Sequence, residues 1–296
     1  MNGKSLKMNV TLIDGDSLGR IKCTIQNRTV LLYKIPRSKL STCSKDEGEL
    51  REHLKRPGVY FLLGKDDGSD KYNIYIGQSI NRKNGEGLLF RLIEHDKSNK
   101  ETYRDKWNEA ICVSTTSSDD SFGATETSYL EHKFTDLARK SERCKVSNKN
   151  DPNPGNVNEE DRNRLDEFID HVKLIMGVMG KNLFDPYVSE GEAQKESAAN
   201  DIFYYHGKYE AKALKTNEGF VLLKGSHISK KLSPSSKVVK VPALREEHSA
   251  EIDENYITTK NILFYSSSSA ASFVRGSSAS GNDKWKTKER KSPNDF

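Results

Sequence analysis

Two side chains with complementary chemistry lie close together in the first third of this 296-residue sequence. Arg91 carries a permanent positive charge, and His95 titrates near neutral pH. Both lie in the segment 88–95, whose leucines and isoleucine recur at helical spacing, so the two side chains leave the same edge of the apolar face. The pattern predicts a fixed cation beside a titratable imidazole, although a solvated arginine and a surface histidine fit the same spacing.

Two tyrosines lie in the strands predicted before this helix. Segments 58–63 and 72–77 are rich in β-branched and aromatic residues and flank a polar loop that contains Gly68, which is typical of an antiparallel hairpin. Strand alternation places Tyr60 and Tyr75 opposite their aliphatic neighbours, so both phenols leave the face that the aliphatic residues bury. Ordinary amphipathic sheet residues would show the same pattern.

One carboxylate lies at the edge of a second predicted helix, which begins near Thr125. A third strand, residues 107–114, precedes this helix. The buried stripe of the helix comprises Leu130, Phe134, Leu137 and Ala138. Glu131 is next to that stripe, where a glutamate is either half-exposed at the surface or held rigidly at the wall of a pocket.

The composition favours several small units over one large core, because the hydrophobic fraction is 34% and the charged fraction is 31%. The net charge of +5 permits a polyanionic partner without requiring one, since acidic and basic residues are interspersed. The four cysteines form no Cys-x-x-Cys pair, which argues against a zinc site or a disulfide framework and favours the reducing cytoplasm. No segment is typical of a signal peptide or a membrane span, so we expect no membrane partner.

The residues introduced above resemble, in order and spacing, the catalytic motifs of the GIY-YIG nuclease family. The matching residues are Gly58-Val59-Tyr60, Tyr75-Ile76-Gly77, Arg91 with His95, Glu131, and the later Asn148. The first tripeptide has Val59 where the family name has isoleucine, and the hairpin loop is long. The resemblance implies a nuclease.

Flanking motifs are similar to those of one bacterial subgroup of GIY-YIG proteins that carries a C-terminal domain of unknown function. The motifs lie at residues 13–16, 35–40, 219–226 and 268–273. The segment 281–285 departs from the pattern of the subgroup. The resemblance therefore extends over nearly the whole chain and leaves the function of the tail open.

The resemblance implies a hydrolase, namely an endonuclease that cleaves phosphodiester bonds of DNA with Mg²⁺ or Mn²⁺. Arg91 suits the scissile phosphate, because a planar guanidinium binds phosphate oxygens in a bidentate fork. Glu131 is the expected metal ligand, and a Mg²⁺ ion held by one carboxylate keeps most of its waters. Glu126 is the alternative metal ligand.

Activation of water is assigned to two residues together. An unperturbed tyrosine titrates about three units above neutral pH, so forming the phenolate costs about 4 kcal/mol. A histidine titrates close to neutral pH. We therefore expect Tyr60 and His95 to act jointly as the base and Tyr75 to position the reactants as a hydrogen-bond donor. The resemblance also implies that Asn148 braces the site.

The strands and helices that position these residues predict an α+β fold, and the resemblance implies a small GIY-YIG-type core in which a three-stranded antiparallel sheet is flanked by helices. A core of about 45 residues is marginal alone, so the short N-terminal β unit should pack on its neighbour. The expected divisions are an N-terminal β-rich unit (1–50), a nuclease domain with a trailing helix (51–187), a linker (188–200), a small C-terminal α+β domain of unknown function (201–290) and a frayed tail (291–296).

The expected partner is double-stranded DNA, and the expected role is restriction or anti-phage defence. One active site cuts one strand, so a double-strand break requires a homodimer, an accessory protein or two successive binding and cleavage events. RNA and structure-specific substrates are compatible with the same site, since it contacts a phosphodiester and little of the base. The basic run 230–240 either contacts a phosphate backbone or is solvated surface. The alternative function is a non-catalytic nucleic-acid-binding or complex-forming module on a nuclease scaffold.

Overall fold

A computed structural model describes residues 5–65, 71–80, 87–97, 107–187, 202–233 and 241–296. The chain divides into two compact units, Met1–Pro186 and Tyr187–Phe296. Each unit combines helices with its own β-sheet, so the α+β class is confirmed. The linker predicted at residues 188–200 lies outside the described residues.

The N-terminal unit is built on a seven-stranded sheet. Its strands are β1 (Met8–Leu12), β2 (Ile21–Ile25), β3 (Val30–Pro36), β4 (Gly58–Lys65), β5 (Tyr72–Ser79), β6 (Glu109–Thr115) and β7 (Cys144–Val146). They are arranged in the order β1-β2-β3-β6-β4-β5-β7. All neighbours are antiparallel except β5 and β7, which are parallel.

The three strands predicted for the core form the centre of this larger sheet. Strands β6, β4 and β5 are adjacent and antiparallel. The predicted three strands are part of a larger sheet, because β3 pairs with β6 along its whole length and β2 and β1 follow it. The N-terminal β-rich unit is therefore part of the same sheet. Five of the seven residues of β3 are buried, which is typical of a strand with neighbours and packing on both sides.

Helices cover both faces of the sheet. Within the described part of the unit they are α1 (Leu40–Lys45), α2 (Glu49–Leu54), α3 (Leu88–Lys97), α4 (Ala124–Ser141) and α5 (Glu159–Val178). Helices α4 and α5 pack against Val59 and Phe61 of β4, whereas α1, α2 and α3 pack on the opposite face with Tyr60 and Leu62. The predicted alternation along β4 is thus confirmed. None of the helices in the described ranges is long and apolar enough to cross a membrane.

The C-terminal unit has a five-stranded antiparallel sheet in the order β11-β10-β9-β8-β12. Its strands are β8 (Ile202–Tyr205), β9 (Lys212–Thr216), β10 (Gly219–Leu222), β11 (Ile262–Phe264) and β12 (Trp285–Lys286). The described helices are α6 (Val241–Glu247), α7 (Ser267–Arg275) and α8 (Gly281–Lys284). Phe203, Phe220, Phe273 and Trp285 are buried in its core.

The end of the chain is ordered, although a frayed tail was predicted at residues 291–296. A 3-10 turn forms at Pro293–Asp295. The ring of Phe296 lies 5.6 Å from the ring of Phe203, and Lys215 donates a hydrogen bond to the carbonyl oxygen of Phe296 at 2.8 Å. The tail is polar in composition, but its one aromatic side chain, Phe296, packs on the core.

Candidate active site

The two tyrosines of the strand motifs are brought together by the β4–β5 pairing. Tyr60 lies opposite Gly77 across the pair, and the rings of Tyr60 and Tyr75 are 6.3 Å apart. A Cβ atom at Gly77 would be 2.3 Å from the phenol oxygen of Tyr60, so the ring occupies the space that a side chain would need. Glycine is needed at position 58 because of a different contact: a Cβ atom there would be 2.1 Å from the carbonyl oxygen of Val113 in β6. Both glycines are therefore required for close approach.

A short hydrogen bond joins the first tyrosine to the histidine. The phenol oxygen of Tyr60 is 2.6 Å from Nε2 of His95, which lies on α3. Both side chains are 1% exposed, so His95 is not the surface histidine that its spacing also allowed. The imidazole ring is 5.3 Å from the rings of both Tyr60 and Tyr75. Three of the predicted site residues thus pack around one buried contact.

The phenol of Tyr60 is neutral in this environment. Burial raises the pKa of Tyr60 well above its ordinary value, because a phenolate would lose its hydration. Tyr75 and Glu131 raise the pKa further, while the charge of Arg91 and a hydrogen bond from it act in the opposite direction. The neutral phenol donates this hydrogen bond when Nε2 of His95 is unprotonated and accepts it when Nε2 carries the proton.

Arg91 connects the buried phenol to a carboxylate. Its guanidinium donates a hydrogen bond to Tyr60, and Nη1 donates to Oε2 of Glu94 at 2.8 Å. Burial alone would lower the pKa of Arg91, but Tyr60 and Glu94 outweigh this effect and raise it. About a third of the side chain is exposed, so the cation reaches from the buried pair to the surface. Glu94 was not predicted, although its spacing of three residues from Arg91 on a helix was a usable signal.

Glu131 is half-buried on α4 and acts electrostatically on the same residues. Burial raises the pKa of Glu131, whereas a hydrogen bond from Gln78 and the charge of Arg91 lower it. Gln78 of β5 also donates a hydrogen bond to Oγ of Ser128 at 3.1 Å. Neither Gln78 nor Ser128 was predicted, because an amide and a hydroxyl have no distinctive spacing; the signal available was that Gln78 directly follows Gly77.

The alternative metal ligand, Glu126, has a structural role. Its Oε2 atom accepts a hydrogen bond from the backbone N–H of Gly123 at 2.6 Å, which caps the N-terminus of α4. Its Oε1 atom forms an ion pair with Arg164. Both oxygens are thus engaged away from Tyr60 and His95, and Glu131 is the better candidate for metal binding.

Asn148 holds the backbone of β5 from the side. Its Nδ2 atom donates to the carbonyl oxygen of Ile76 at 2.7 Å, and its Oδ1 atom accepts from the N–H of Ile76 at 3.0 Å. Strand β7 pairs with β5 only as far as Ile74, so Asn148 continues the ladder with a side chain. These two bonds hold the strand that carries Tyr75 and Gly77.

The donor set suits a hydrated divalent cation better than a fully ligated one. Among the residues that the structure describes, no three His, Cys, Asp or Glu side chains cluster as metal ligands. One half-buried carboxylate, Glu131, is available. Mg²⁺ dehydrates reluctantly and is often held by one or two carboxylates. A bound cation would also offset the burial that raises the pKa of Glu131, so the residues fit such an ion.

Comparisons with known proteins gave a family match only in the C-terminal unit. No match to the GIY-YIG family was found, so the resemblance in residues 58–148 remains a prediction. No curated protein and no solved structure matches the chain. Residues 202–296 match a family described as "Domain of unknown function (DUF4357)", a range that lies within the C-terminal unit.

Proposed function

We propose that the N-terminal unit is a divalent-metal-dependent endonuclease that hydrolyses phosphodiester bonds of DNA. The observation that carries the proposal is the 2.6 Å hydrogen bond between Tyr60 and His95, formed where Arg91 and Glu131 both act on the phenol. A buried phenol–imidazole pair, a permanent cation and a half-buried carboxylate are the groups needed to activate water, bind a phosphate and hold a metal ion.

The electrostatics favour His95 as the final proton acceptor. Since burial raises the pKa of Tyr60, a free phenolate is an unfavourable intermediate. In the proposed step, Tyr60 takes a proton from the attacking water while it passes its own proton to Nε2 of His95. The imidazole gains the positive charge, and the phenol is neutral before and after the transfer. This relay refines the joint base expected from the sequence.

Arg91 is the proposed phosphate ligand. Its guanidinium lies between Tyr60 and Glu94, so phosphate oxygens would compete with Glu94 for the exposed part of the fork. Mg²⁺ or Mn²⁺ held by Glu131 would supply charge neutralisation at the non-bridging and leaving oxygens. Tyr75, packed beside His95, would donate a hydrogen bond to position the reactants, and Asn148 would keep its strand in place.

The proposal extends to architecture and role. Strands β4, β5 and β6 with helices α3 and α4 would form a GIY-YIG-type core, to which β1, β2, β3 and β7 are additions. The role proposed is restriction or anti-phage defence in the cytoplasm, with double-stranded DNA as the substrate and with a homodimer or an accessory protein for double-strand cleavage. The C-terminal unit would target or regulate this activity.

The proposal is tested by incubating supercoiled plasmid with the purified protein in Mg²⁺, Mn²⁺ or EDTA. We expect metal-dependent nicking or linearisation that Arg91→Ala and Glu131→Ala abolish without loss of the folded state. Glu126→Ala is the matched control, because it removes a carboxylate of the same helix that caps α4. It should lower stability by about 0.5–2 kcal/mol but leave cleavage intact.

Two results would contradict the proposal. Normal cleavage by Arg91→Ala or Glu131→Ala would show that these residues have no catalytic role. Absence of cleavage in every metal, with retained DNA binding in a mobility-shift assay, would instead support the non-catalytic binding module. Parallel reactions with single-stranded DNA and RNA would show whether a different phosphodiester is the substrate.

A further inference from the structure

The C-terminal unit contains a buried arginine whose charge has no carboxylate partner. Arg245, on α6, is 7% exposed. Its Nε and Nη2 atoms both donate to the carbonyl oxygen of Phe273, at 2.9 and 2.5 Å, and its guanidinium lies 4.7 Å from the centre of the Phe273 ring. Within the described ranges, no acidic side chain pairs with Arg245, and Nη1 makes no hydrogen bond.

A purely structural role accounts for only part of this arrangement. Phe273 lies in the last turn of α7, so Arg245 caps the negative end of that helix. A helix C-terminus offers about half a negative charge. The helix end therefore balances only part of the positive charge. Nη1, which makes no hydrogen bond to the described residues, is not fully buried and is open to an anion from the solvent. Burial of the rest of the side chain lowers the pKa of Arg245 to about 10.

Two tyrosines lie near the guanidinium of Arg245. The phenols of Tyr209 and Tyr256 are the titratable groups close enough to act on its charge. Both tyrosines are half-buried at the edge of the core. Tyr256 has a φ of 61°, a left-handed conformation that is rare for a bulky residue and costs backbone strain. Such strain is often found at binding sites.

A second cation lies on the outer side of this group. Lys230 is exposed, and its Nζ atom is 5.6 Å from the centre of the Tyr256 ring. A backbone hydrogen bond also joins the segments that carry Lys230 and Tyr256, since the N–H of Ile228 donates to the carbonyl oxygen of Tyr256 at 2.9 Å. The N–H of Ser229 also donates to the carbonyl oxygen of Val274 at 2.8 Å, so the segment that carries Lys230 lies at the same end of α7 as Arg245.

We propose that Arg245, Lys230, Tyr209 and Tyr256 form a binding site for a phosphate group of a nucleotide, either free or within a nucleic-acid strand. Nη1 of Arg245 and the ammonium group of Lys230 neutralise the phosphate, and the two phenols donate hydrogen bonds to its oxygens. The aromatic rings provide surfaces on which a base stacks. This site belongs to the C-terminal unit and does not depend on nuclease activity of the other unit.

The test follows the Nε–H resonance of Arg245 in full-length ¹⁵N-labelled protein, with EDTA present so that no cleavage occurs. The resonance is assigned by its loss in Arg245→Met. The probes are inorganic phosphate, thymidine monophosphate and a twelve-nucleotide oligo(dT). We expect a saturable shift, with an apparent Kd about tenfold to a hundredfold weaker in Lys230→Ala, since a charge-assisted hydrogen bond is lost. Lys288→Ala, another exposed lysine of the same unit, should bind like the wild type.

The probes distinguish the two sources of the phosphate. Tighter binding of oligo(dT) than of the mononucleotide, with strong salt dependence, indicates a nucleic-acid strand. Equal binding indicates a free nucleotide. No shift of the Arg245 resonance with any of the three probes overturns the proposal.

A melting experiment separates binding from capping. Arg245→Met replaces the charge with an apolar chain of similar length and should melt no lower than the wild type. A lower melting temperature, together with unchanged binding in Lys230→Ala, would mean that Arg245 only caps α7. Glu131→Ala should leave the shift of the resonance unaltered, so failure of the nuclease proposal would not affect this result.

Discussion

Replacing Gly77 with alanine should disrupt the candidate active site through one steric contact. The new Cβ atom would lie 2.3 Å from the phenol oxygen of Tyr60 and 2.4 Å from its Cζ atom. Carbon atoms in ordinary contact are about 3.5–4.0 Å apart, so the ring must move by at least about 1 Å. Tyr60 is fully buried, which leaves the ring little room to move. The 2.6 Å bond to His95 would then exceed hydrogen-bonding distance.

Gly77→Ala should lower both the stability of the protein and the rate of cleavage. Overpacking of a buried position costs about 1–3 kcal/mol, slightly offset by the smaller unfolded-state entropy of alanine. For a unit of this size, we expect the melting temperature to fall by roughly 2–12 °C. Loss of a positioned general base lowers the rate of cleavage by about 10²–10⁴-fold. Activity should therefore decrease much more than stability.

The assay combines thermal melting with plasmid cleavage in Mg²⁺, and Gly123→Ala is the control. A Cβ atom at Gly123 would lie 3.5 Å from the carboxylate of Glu126, an ordinary contact, so this variant should cleave like the wild type. It should melt slightly lower, because alanine is less favourable than glycine at the N-cap of α4. Tyr60→Phe should lose cleavage without the packing strain. The steric reasoning would be refuted if Gly77→Ala kept both the wild-type melting temperature and the wild-type rate.

Three further predictions concern bracing, pH and metal binding. Asn148→Ala leaves the backbone of Ile76 unpaired and should lower the free energy of unfolding in urea by about 1–3 kcal/mol. Hydrogen bonds from Arg20 lower the pKa of Asp14 to about 2, so this carboxylate stabilises the fold above its unfolded pKa near 4 and the gain disappears as pH falls towards 2. Asp14→Asn should therefore be less stable than the wild type at pH 6 and equally stable at pH 2; a constant difference would contradict this assignment. Because burial raises the pKa of Glu131, Glu131→Gln should melt higher than the wild type in EDTA at pH 7 and show no further rise with Mg²⁺.

Local periodicity was sufficient to predict most elements of the N-terminal unit. The alternation along β4 and the helical spacing in α3 and α4 are properties of short segments, and they predicted that Tyr60 faces away from Val59 and Phe61. The pairing of β3 with β6 is a contact between distant segments that no local pattern encodes. The continuous apolar run in β3 was a signal for a central strand.

The protonation state of Tyr60 and the role of Glu126 could not be predicted from the sequence. The resemblance supplied the residues, but not the neutral state of Tyr60, which depends on how deeply the phenol is buried. Likewise, the sequence made Glu131 the expected metal ligand and Glu126 the alternative, but it did not show that Glu126 caps α4. The hydrogen bond from the N–H of Gly123 identifies Glu126 as the capping residue, whereas Glu131 lies near the site.

The bond from Asn148 to the strand has a consequence for motion on slow timescales. An amide proton in the middle of a sheet exchanges with solvent only when strands separate, whereas that of Ile76 is covered by a side chain that can rotate away. Its hydrogen exchange should therefore be faster than that of Ile74, which pairs with β7. The outer edge of β5 at Ile76 can thus open locally while its pairing with β4 persists, so motion beside the site does not require unfolding of the sheet.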